Sequence, residues 1–538
     1  MTSGRPTPDY DAVVVGAGFA GLYQLHRLKQ AGLSVRLLEA GDGIGGTWFW
    51  NRYPGARCDV ESLDYSYSFS HALEQEWDWS ERYATQPEIL RYIRHVADRF
   101  ALWPDIQLGT RVASAVFDEP TAIWAVTSTV GETLTCRFCI MATGCLSIPQ
   151  APSIPGLDRY RHDWYHSADW PRGGVDFTGR RVGVVGTGSS GVQMIPIIAE
   201  QARHLTVFQR TANYSVPAHN EPLSRQTLDE VKRNYGERRA RGREAFSGHY
   251  LLANDQSAVA VDEPERRAAF EFRWRGAGGG FRMLRAFNDL MVNPTSNRYA
   301  AEFIREKIRG IVRDPATAEL LCPRDDLPFG TKRLCVDSGY YETFNRDNVT
   351  LVDVRTDPIV EITADGLRTR QRTFALDLIV FATGFDAMTG SLTAMDIRTT
   401  AGRSLRDWWA GGPRTYLGLA VAGFPNMFIL AGPGSPSVLS NMVHSIELHV
   451  DWVTRCIEHA RQLGALRVDA TEAAESAWVE HLNALADKTL YPTAASWYMG
   501  SNVPGKPRVF MPYVGGVPAY RKIVTDVGAD GYRGFTFA

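Results

Sequence analysis

The chain has 538 residues, so two or three packed units with ample core are expected. Its 58 Lys and Arg against 60 Asp and Glu leave a net charge of −2, which argues against a nucleic-acid partner. No stretch approaches the ~18 apolar residues of a membrane span, and the polar start from Met1 to Asp11 lacks the apolar core of a secretory signal, so a cytoplasmic protein with no membrane partner is expected.

Asp11 to Val15 is a short Val-rich run that ends at Gly16-Ala17-Gly18-Phe19-Ala20-Gly21. Leu22, Leu25 and Leu28 then recur on one helical face, Gly32 stops the helix, and Leu33 to Leu38 predicts the next strand, closed by Glu39. Strand, glycine turn, helix, strand and acid are the parts of a dinucleotide site. Gly16 makes the tight turn, Gly18 lets the backbone approach a pyrophosphate, and Gly21 permits close helix packing. The helix N-terminus faces the phosphates, and Glu39 accepts hydrogen bonds from a ribose. A second glycine turn, Gly43-Ile44-Gly45-Gly46-Thr47-Trp48, follows the acid and favours FAD.

Cys136 and Cys139 are the only close pair among seven cysteines. On a strand they are expected to point to opposite faces, so no metal site is expected and all seven are taken as buried thiols. Phe138 to Gly144 reads as a strand ending in Ala-Thr-Gly, and Leu378 to Gly384 repeats that ending.

A second strand, Arg181 to Val185, leads into Gly186-Thr187-Gly188-Ser189-Ser190-Gly191 and a helix through Met194 and Ile198. Leu205 to Phe208 is the following strand. Glu39 lies 23 residues after Gly16, whereas the same count from Gly186 reaches Gln209, with Arg210 and Thr211 next. The ribose-binding acid is missing and a cation stands beside its place. A guanidinium binds a 2′-phosphate that a carboxylate would repel, so NADPH is preferred over NADH.

The fold class is therefore α/β, with two Rossmann-like dinucleotide-binding domains and a helical insertion. The expected division is an FAD domain in 1–150 and 386–538, an NADPH domain in 151–218 and 329–385, and the insertion in 219–328. Within the insertion Ile304, Ile308, Ile311 and Val312 share a face, Asp314-Pro315 starts a helix, and Gly276 to Gly280 is a flexible break.

The segment Gly46-Thr47-Trp48-Phe49-Trp50-Asn51-Arg52-Tyr53-Pro54-Gly55-Ala56-Arg57-Cys58-Asp59 fits the pattern [AG]GxWxxxx[FY]P[GM]xxxD at every fixed position. The chain thereby resembles the type I Baeyer–Villiger monooxygenases, closest to the phenylacetone monooxygenase type. The likeness runs on through Gly330-Thr331-Lys332-Arg333, Gly434 to Met442, and Ser496 to Gly500. A second family pattern, FxGxxxHxxxW[PD], is partly kept: His166, Trp170 and Pro171 match, Tyr160 replaces Phe, and His162 replaces Gly. If that glycine sits at positive φ, His162 must strain or reshape the turn.

The resemblance implies an enzyme that uses NADPH, FAD and O2 to convert a ketone to an ester or lactone through a C4a-peroxyflavin, with sulfides as further substrates and a monomer or weak oligomer as the working form. Arg333 and Asp59 are the expected catalytic pair: a permanent guanidinium stabilises negative charge on oxygen, and the carboxylate holds it in place. The expected cofactor-binding residues, for FAD and NADPH together, are Gly16, Ala17, Gly18, Phe19, Gly21, Glu39, Gly46, Thr47, Trp48, Phe49, Trp50, Arg57, Cys58, Asp59, Tyr65, Val112, Gly186, Thr187, Gly188, Ser189, Ser190, Gly191, Val192, Arg210, Thr211, Lys332, Arg333, Met442 and Trp497. Lys332 joins Arg210 and Thr211 at the 2′-phosphate, and Trp497 donates its indole N–H to the nicotinamide ribose. Ser437, Val438, Leu439 and Met442 border the substrate pocket. His166 is assigned to a hinge rather than to catalysis. A heteroatom-oxidising flavin monooxygenase, a disulfide reductase and a flavin sensor are the competing classes. The fingerprint with Arg333, the absence of a flavin-side cysteine pair and the complete NADPH site argue against each in turn.

Overall fold

The structure, a computed structural model, describes residues 6–251, 253–276 and 279–538. Two sheets organise it, and each contains one of the two strand–glycine–helix units. In the first, strand Tyr10–Val15 sits between Val35–Leu38 and Thr133–Met141, parallel to both. Its alternation sorts two cores. Ala12 and Val14 pack with Leu22, Leu25 and Leu28 of helix Phe19–Gln30, while Val13 and Val15 pack on the opposite side with Met141 and Phe117. The eight-stranded sheet runs Asp396–Thr399, Val112–Asp118, Ile123–Ser128, Thr133–Met141, Tyr10–Val15, Val35–Leu38 and Ile106–Gln107, with Met427–Ile429 also paired to Thr133–Met141. Strands from both ends of the chain thus share one sheet. Helix Met442–Leu463 lies against Phe19–Gln30, tied by Gln24 Nε2 donating to Thr454 Oγ1 at 3.0 Å and Tyr23 OH to Asp451 at 2.9 Å.

Strand alternation fails for the close cysteine pair. Cys136 and Cys139 both lie in the core with Val13 and Val15, and the Cys139 thiol has that of Cys136 beside it. Cys136 pairs with Tyr10 and Trp124, and Cys139 with Val13 and Met427. All seven cysteines are free and buried, and no cluster of metal-binding side chains occurs among the described residues.

The second sheet is wholly parallel, in the order Val349–Asp353, His204–Gln209, Arg181–Val185, Leu378–Phe381 and Asp163–His166. Between its strands the chain runs through helices Arg225–Glu244, Glu263–Arg275, Gly279–Leu284, Pro294–Ile311 and Pro315–Leu321. Ile304 and Ile308 are fully buried and Val312 nearly so, with Ile311 packed beside them. Asp314 caps the last of these helices by accepting the Thr317 N–H at 2.9 Å. The glycine break falls between Glu263–Arg275 and Gly279–Leu284, and residues 277–278 of it lie outside the described residues. No helix among the described residues is long and apolar enough to cross a membrane.

His162 is not among the residues with positive φ, so the turn has taken an ordinary backbone path rather than a strained one. Its Nε2 lies 3.3 Å from Asp365. His166 accepts the Ala168 N–H at Nδ1 (3.1 Å), which leaves Nε2 to donate to Thr383 Oγ1 at 3.1 Å. Thr383 in turn donates to the Gln150 carbonyl at 2.9 Å. One imidazole therefore ties the second sheet to both Ala-Thr-Gly connections between the sheets.

Several histidines are buried in the neutral form. His449 accepts the Ala431 N–H at 3.0 Å and faces the Tyr520 hydroxyl at 3.0 Å; burial, with the nearby His444, lowers its pKa from 6.5 to about 3. Burial also lowers His444 and His26, each to about 4. A depressed folded pKa gives stability that is full above 6.5 and is lost as pH falls toward the folded value. Below about pH 6.5 the thermal midpoint of His449→Gln is expected to lose less per pH unit than that of wild type; equal slopes would remove His449 from the cause.

Candidate functional site

The fingerprint Gly46 to Asp59 leaves the first glycine turn, crosses to the second unit, and ends at a buried charge. At its start the two glycine turns touch. Gly45 N–H donates to the Ala17 carbonyl at 2.8 Å, and a Cβ on Gly46 (φ +54°) would lie 2.9 Å from the Gly18 Cα. Only glycine permits that approach. Glu39 is buried, accepting the Ala17 and Gly41 N–H groups at 2.7 Å each. Burial raises its pKa, and those two amides work against the rise. Trp48 donates its indole N–H to the Tyr65 hydroxyl at 3.2 Å, and Phe49 is packed beneath the glycine turn. Cys58 and Val112 are buried nearby, while Thr47 is exposed and Trp50 half-buried.

Midway, the fingerprint meets the second unit. Tyr53 OH donates to Gln193 Oε1 at 2.8 Å, and Gln193 Nε2 donates to the Arg57 carbonyl at 3.1 Å. Arg57 is itself held by Glu81 at 2.9 Å. Gly55, at φ +80°, lies so near helix Ser189–Gln201 that a Cβ would come within 2.5 Å of the Gln193 carbonyl oxygen.

At its end Asp59 grips Arg333 in a fork: Nε to Oδ2 at 2.8 Å and Nη2 to Oδ1 at 2.7 Å. The remaining Nη1 donates to the Val438 carbonyl, and the guanidinium stacks on Phe281 at 4.7 Å. Burial works to raise the Asp59 carboxyl, but the charge and paired hydrogen bonds of Arg333 overcome it and hold it below its ordinary value. Burial opposes the Arg333 charge in the same way, and Asp59 more than restores it, so the pair stays ionised throughout neutral pH. Val438, Leu439, Met442 and Trp497 gather in one apolar cluster with Tyr491, Tyr498 and Met499 beside it. Ser437 does not present its hydroxyl to that cluster's surface; it is fully buried and donates to the Ala431 carbonyl at 3.0 Å. Trp497 packs on Tyr498 with the rings tilted by 48°, and its indole N–H makes no hydrogen bond among the described residues.

The second glycine loop repeats the first. Gly186 to Val192 opens helix Ser189–Gln201, and its Thr187 hydroxyl donates to the Thr211 carbonyl at 3.1 Å. Gln209 occupies the position of the missing acid but turns away, donating to the Leu320 carbonyl at 2.7 Å. Arg210 and Thr211 are exposed. Lys332 is half-buried, and burial lowers its pKa, with Arg210 lowering it further. Two cations therefore face each other with no ion pair to either among the described residues, an arrangement that an anion would relieve.

These residues fit the two dinucleotides. The first-turn amides of helices Phe19–Gln30 and Ser189–Gln201 have no intrahelical acceptor, and the glycines before them leave room for phosphate. Glu39 retains lone pairs for a ribose, and the Arg210–Lys332 pair suits a 2′-phosphate. Sequence reasoning missed Gln193, Phe281, Tyr491 and Tyr498. Tyr498 lies within the Ser496 to Gly500 segment but was given no role, and the other three belong to no motif; the fold brings them to Arg333 or to the fingerprint.

Comparison with known proteins agrees with this geometry. A family described as pyridine nucleotide-disulphide oxidoreductase matches residues 13–248. Two relatives match nearly end to end. One is a Baeyer–Villiger monooxygenase of Pseudooceanicola batsensis, 41% identical over 97% of this chain and 95% of that one. The other is phenazine N-monooxygenase of Lysobacter antibioticus, 43% identical over 98% of this chain and 96% of that one. Among solved structures, an oxidised steroid monooxygenase bound to NADP is 55% identical with a TM-score of 0.94, covering 98% of this chain and 99% of its own.

Gly55→Ala is expected to lower the thermal midpoint more than Gly109→Ala. Both positions have positive φ, but a Cβ at Gly109 meets nothing within 4 Å. The difference reads the contact with Gln193, about 1–3 kcal/mol for a forced overlap; equal losses would leave only the backbone cost.

Proposed function

The chain belongs to the Baeyer–Villiger monooxygenases, and on that premise we propose that it uses FAD, NADPH and O2 to insert one oxygen atom beside a ketone carbonyl, giving an ester or lactone. The observation that carries this reading is the Arg333–Asp59 fork, buried where the fingerprint, the 434–442 loop and the Trp497 segment meet. FAD and NADPH, when bound, supply the electrons and the oxygen chemistry. The chain supplies position and charge.

In this proposal residues 1–150 and 386–538 hold FAD, through Gly16 to Gly21, Glu39 and the Gly46 to Asp59 fingerprint. Residues 151–218 and 329–385 hold NADPH, through Gly186 to Val192, with Arg210, Thr211 and Lys332 at the 2′-phosphate. Residues 219–328 pack over both. Trp497 offers its free N–H to the nicotinamide ribose. Val438, Leu439 and Met442 border the ketone. The enzyme is cytoplasmic and monomeric or weakly associated.

Arg333 is the catalytic residue. Its guanidinium keeps its charge at every working pH, and Asp59 fixes its plane, so it stabilises negative charge on oxygen without reorganising. A lysine at the same depth would meet the burial penalty that already lowers the pKa of Lys332 next door. The phenazine N-monooxygenase relative supports a second reading in which an aromatic nitrogen takes the oxygen. Sulfides are a further candidate. Attack on such electron-rich atoms gains less from a fixed cation than attack on a carbonyl.

Mass spectrometry of products from enzyme, FAD, NADPH and O2 with a ketone, a sulfide or a phenazine separates these readings: an ester or lactone supports the first, and an N-oxide alone overturns it. Arg333→Ala is expected to retain flavin reduction by NADPH and lose ester formation; full turnover would refute its role. Arg210→Ala is expected to raise KM for NADPH about 10-fold or more with little change for NADH. Equal effects would take Arg210 off the 2′-phosphate.

A further inference from the structure

A cavity of about 510 Å3 lies beside the end of helix Arg225–Glu244 and the segment that follows it. Its walls are mostly carbon, from Ala240, Phe246, Tyr250, Leu251 and Ala253. Phe246 keeps 43% of its surface open. Three charged side chains reach this space. Two are neutralised: Arg241 is paired with Glu237, and Glu244 with Arg521. The third, Arg285, has no carboxylate partner among the described residues. Its guanidinium lies flat over the Phe246 ring at 3.8 Å. Burial disfavours its charge, and Tyr491 alone works in the other direction.

A desolvated cation without a counter-ion is costly, and a buried one is ordinarily paired. Here the ring face covers one side of the guanidinium, and the cavity lies next to it. The planar fork suits a carboxylate, and the apolar walls suit hydrocarbon rather than a free phosphate or a nucleotide. The volume is that of a small-molecule site.

A chain of contacts leads from the cavity wall toward Arg333. The Ser247 carbonyl accepts the N–H of Asn441, which caps the helix that starts at Met442. His249 packs on Phe281 at 4.8 Å, and Phe281 packs on Arg333. Tyr491 senses the charges of both Arg285 and Arg333.

We propose that this cavity binds an apolar carboxylate with Arg285 as counter-ion, which makes oxo acids, with the carboxylate remote from the ketone, a substrate class of the enzyme. The substrate assignment rests on the ketone-monooxygenase reading; the binding site does not. A fatty carboxylate bound as an effector would share the same chemistry, and the test separates the two.

With the FAD-loaded full chain, kcat/KM is measured for a medium-chain oxo acid and its methyl ester in wild type, Arg285→Gln and Arg285→Lys, with flavin content as the folding check. The acid-to-ester ratio is expected to fall about 10-fold or more in Arg285→Gln and to be largely kept in Arg285→Lys. Decanoate, which has no ketone, is titrated in parallel by calorimetry. Weakened decanoate binding in Arg285→Gln with an unchanged ratio supports the site and overturns the substrate assignment in favour of an effector. No decanoate binding to wild type together with an unchanged ratio overturns the site. If no ketone turns over while decanoate binds through Arg285, the monooxygenase reading fails and the site stands.

Discussion

The ion pair between Asp59 and Arg333 is the constraint on which the rest depends. The two residues are 274 positions apart, and each side chain keeps only about a quarter or less of its surface exposed, 26% and 21%. Either charge alone at that depth would be expensive; breaking a buried pair of this kind costs about 3–5 kcal/mol. The fork therefore fixes the end of the fingerprint against the loop that carries Lys332 and Arg333. Its third donor reaches Val438, which fixes the 434–442 loop as well. The charge proposed for the chemistry is also the point where three distant segments meet.

The same segment explains why the two dinucleotide units are held close. Gly46 lies against Gly18 at one end of the fingerprint, and Gly55 lies against Gln193 in the middle. Both contacts involve backbone, so neither can be made by a side chain that bends out of the way. The units meet along a rigid edge, and the hydrogen bonds of Gln193 to Tyr53 and Arg57 add direction to it. His166 and Thr383 do related work at the two Ala-Thr-Gly connections. The joint between the two units is thus made by backbone contacts as well as by side chains.

Much of this was legible in the residues. Strands Tyr10–Val15 and Arg181–Val185, the helices after them and the cap at Asp314 follow from local chemistry, since apolar periodicity and a capping carboxylate act over a few residues. The absence of an acid at Gln209 was visible by counting, and the outward turn of that side chain accounts for its harmlessness. What stayed hidden was tertiary. Phe281 lies in a glycine-rich stretch with no pattern, yet it floors the Arg333 guanidinium. Cys136 and Cys139 were expected on opposite faces, and the structure places both in one core. The glycine-to-histidine change at His162 left open either strain or a reshaped turn, and the backbone took a path that needs no positive φ.

Two guanidiniums near the centre of the molecule show how context decides what an arginine does. Arg333 and Arg285 both stack on a phenylalanine, at 4.7 and 3.8 Å, and burial disfavours the charge of each. Arg333 has a carboxylate of its own, so its charge is held and its remaining donors serve the site. Arg285 has none, and an aromatic face alone recovers only about 1–2 kcal/mol of what desolvation removes. A chain that needed this side chain only for packing could use a neutral one at lower cost. The retained charge makes sense where something negative comes and goes, and the open apolar cavity beside it supplies the place.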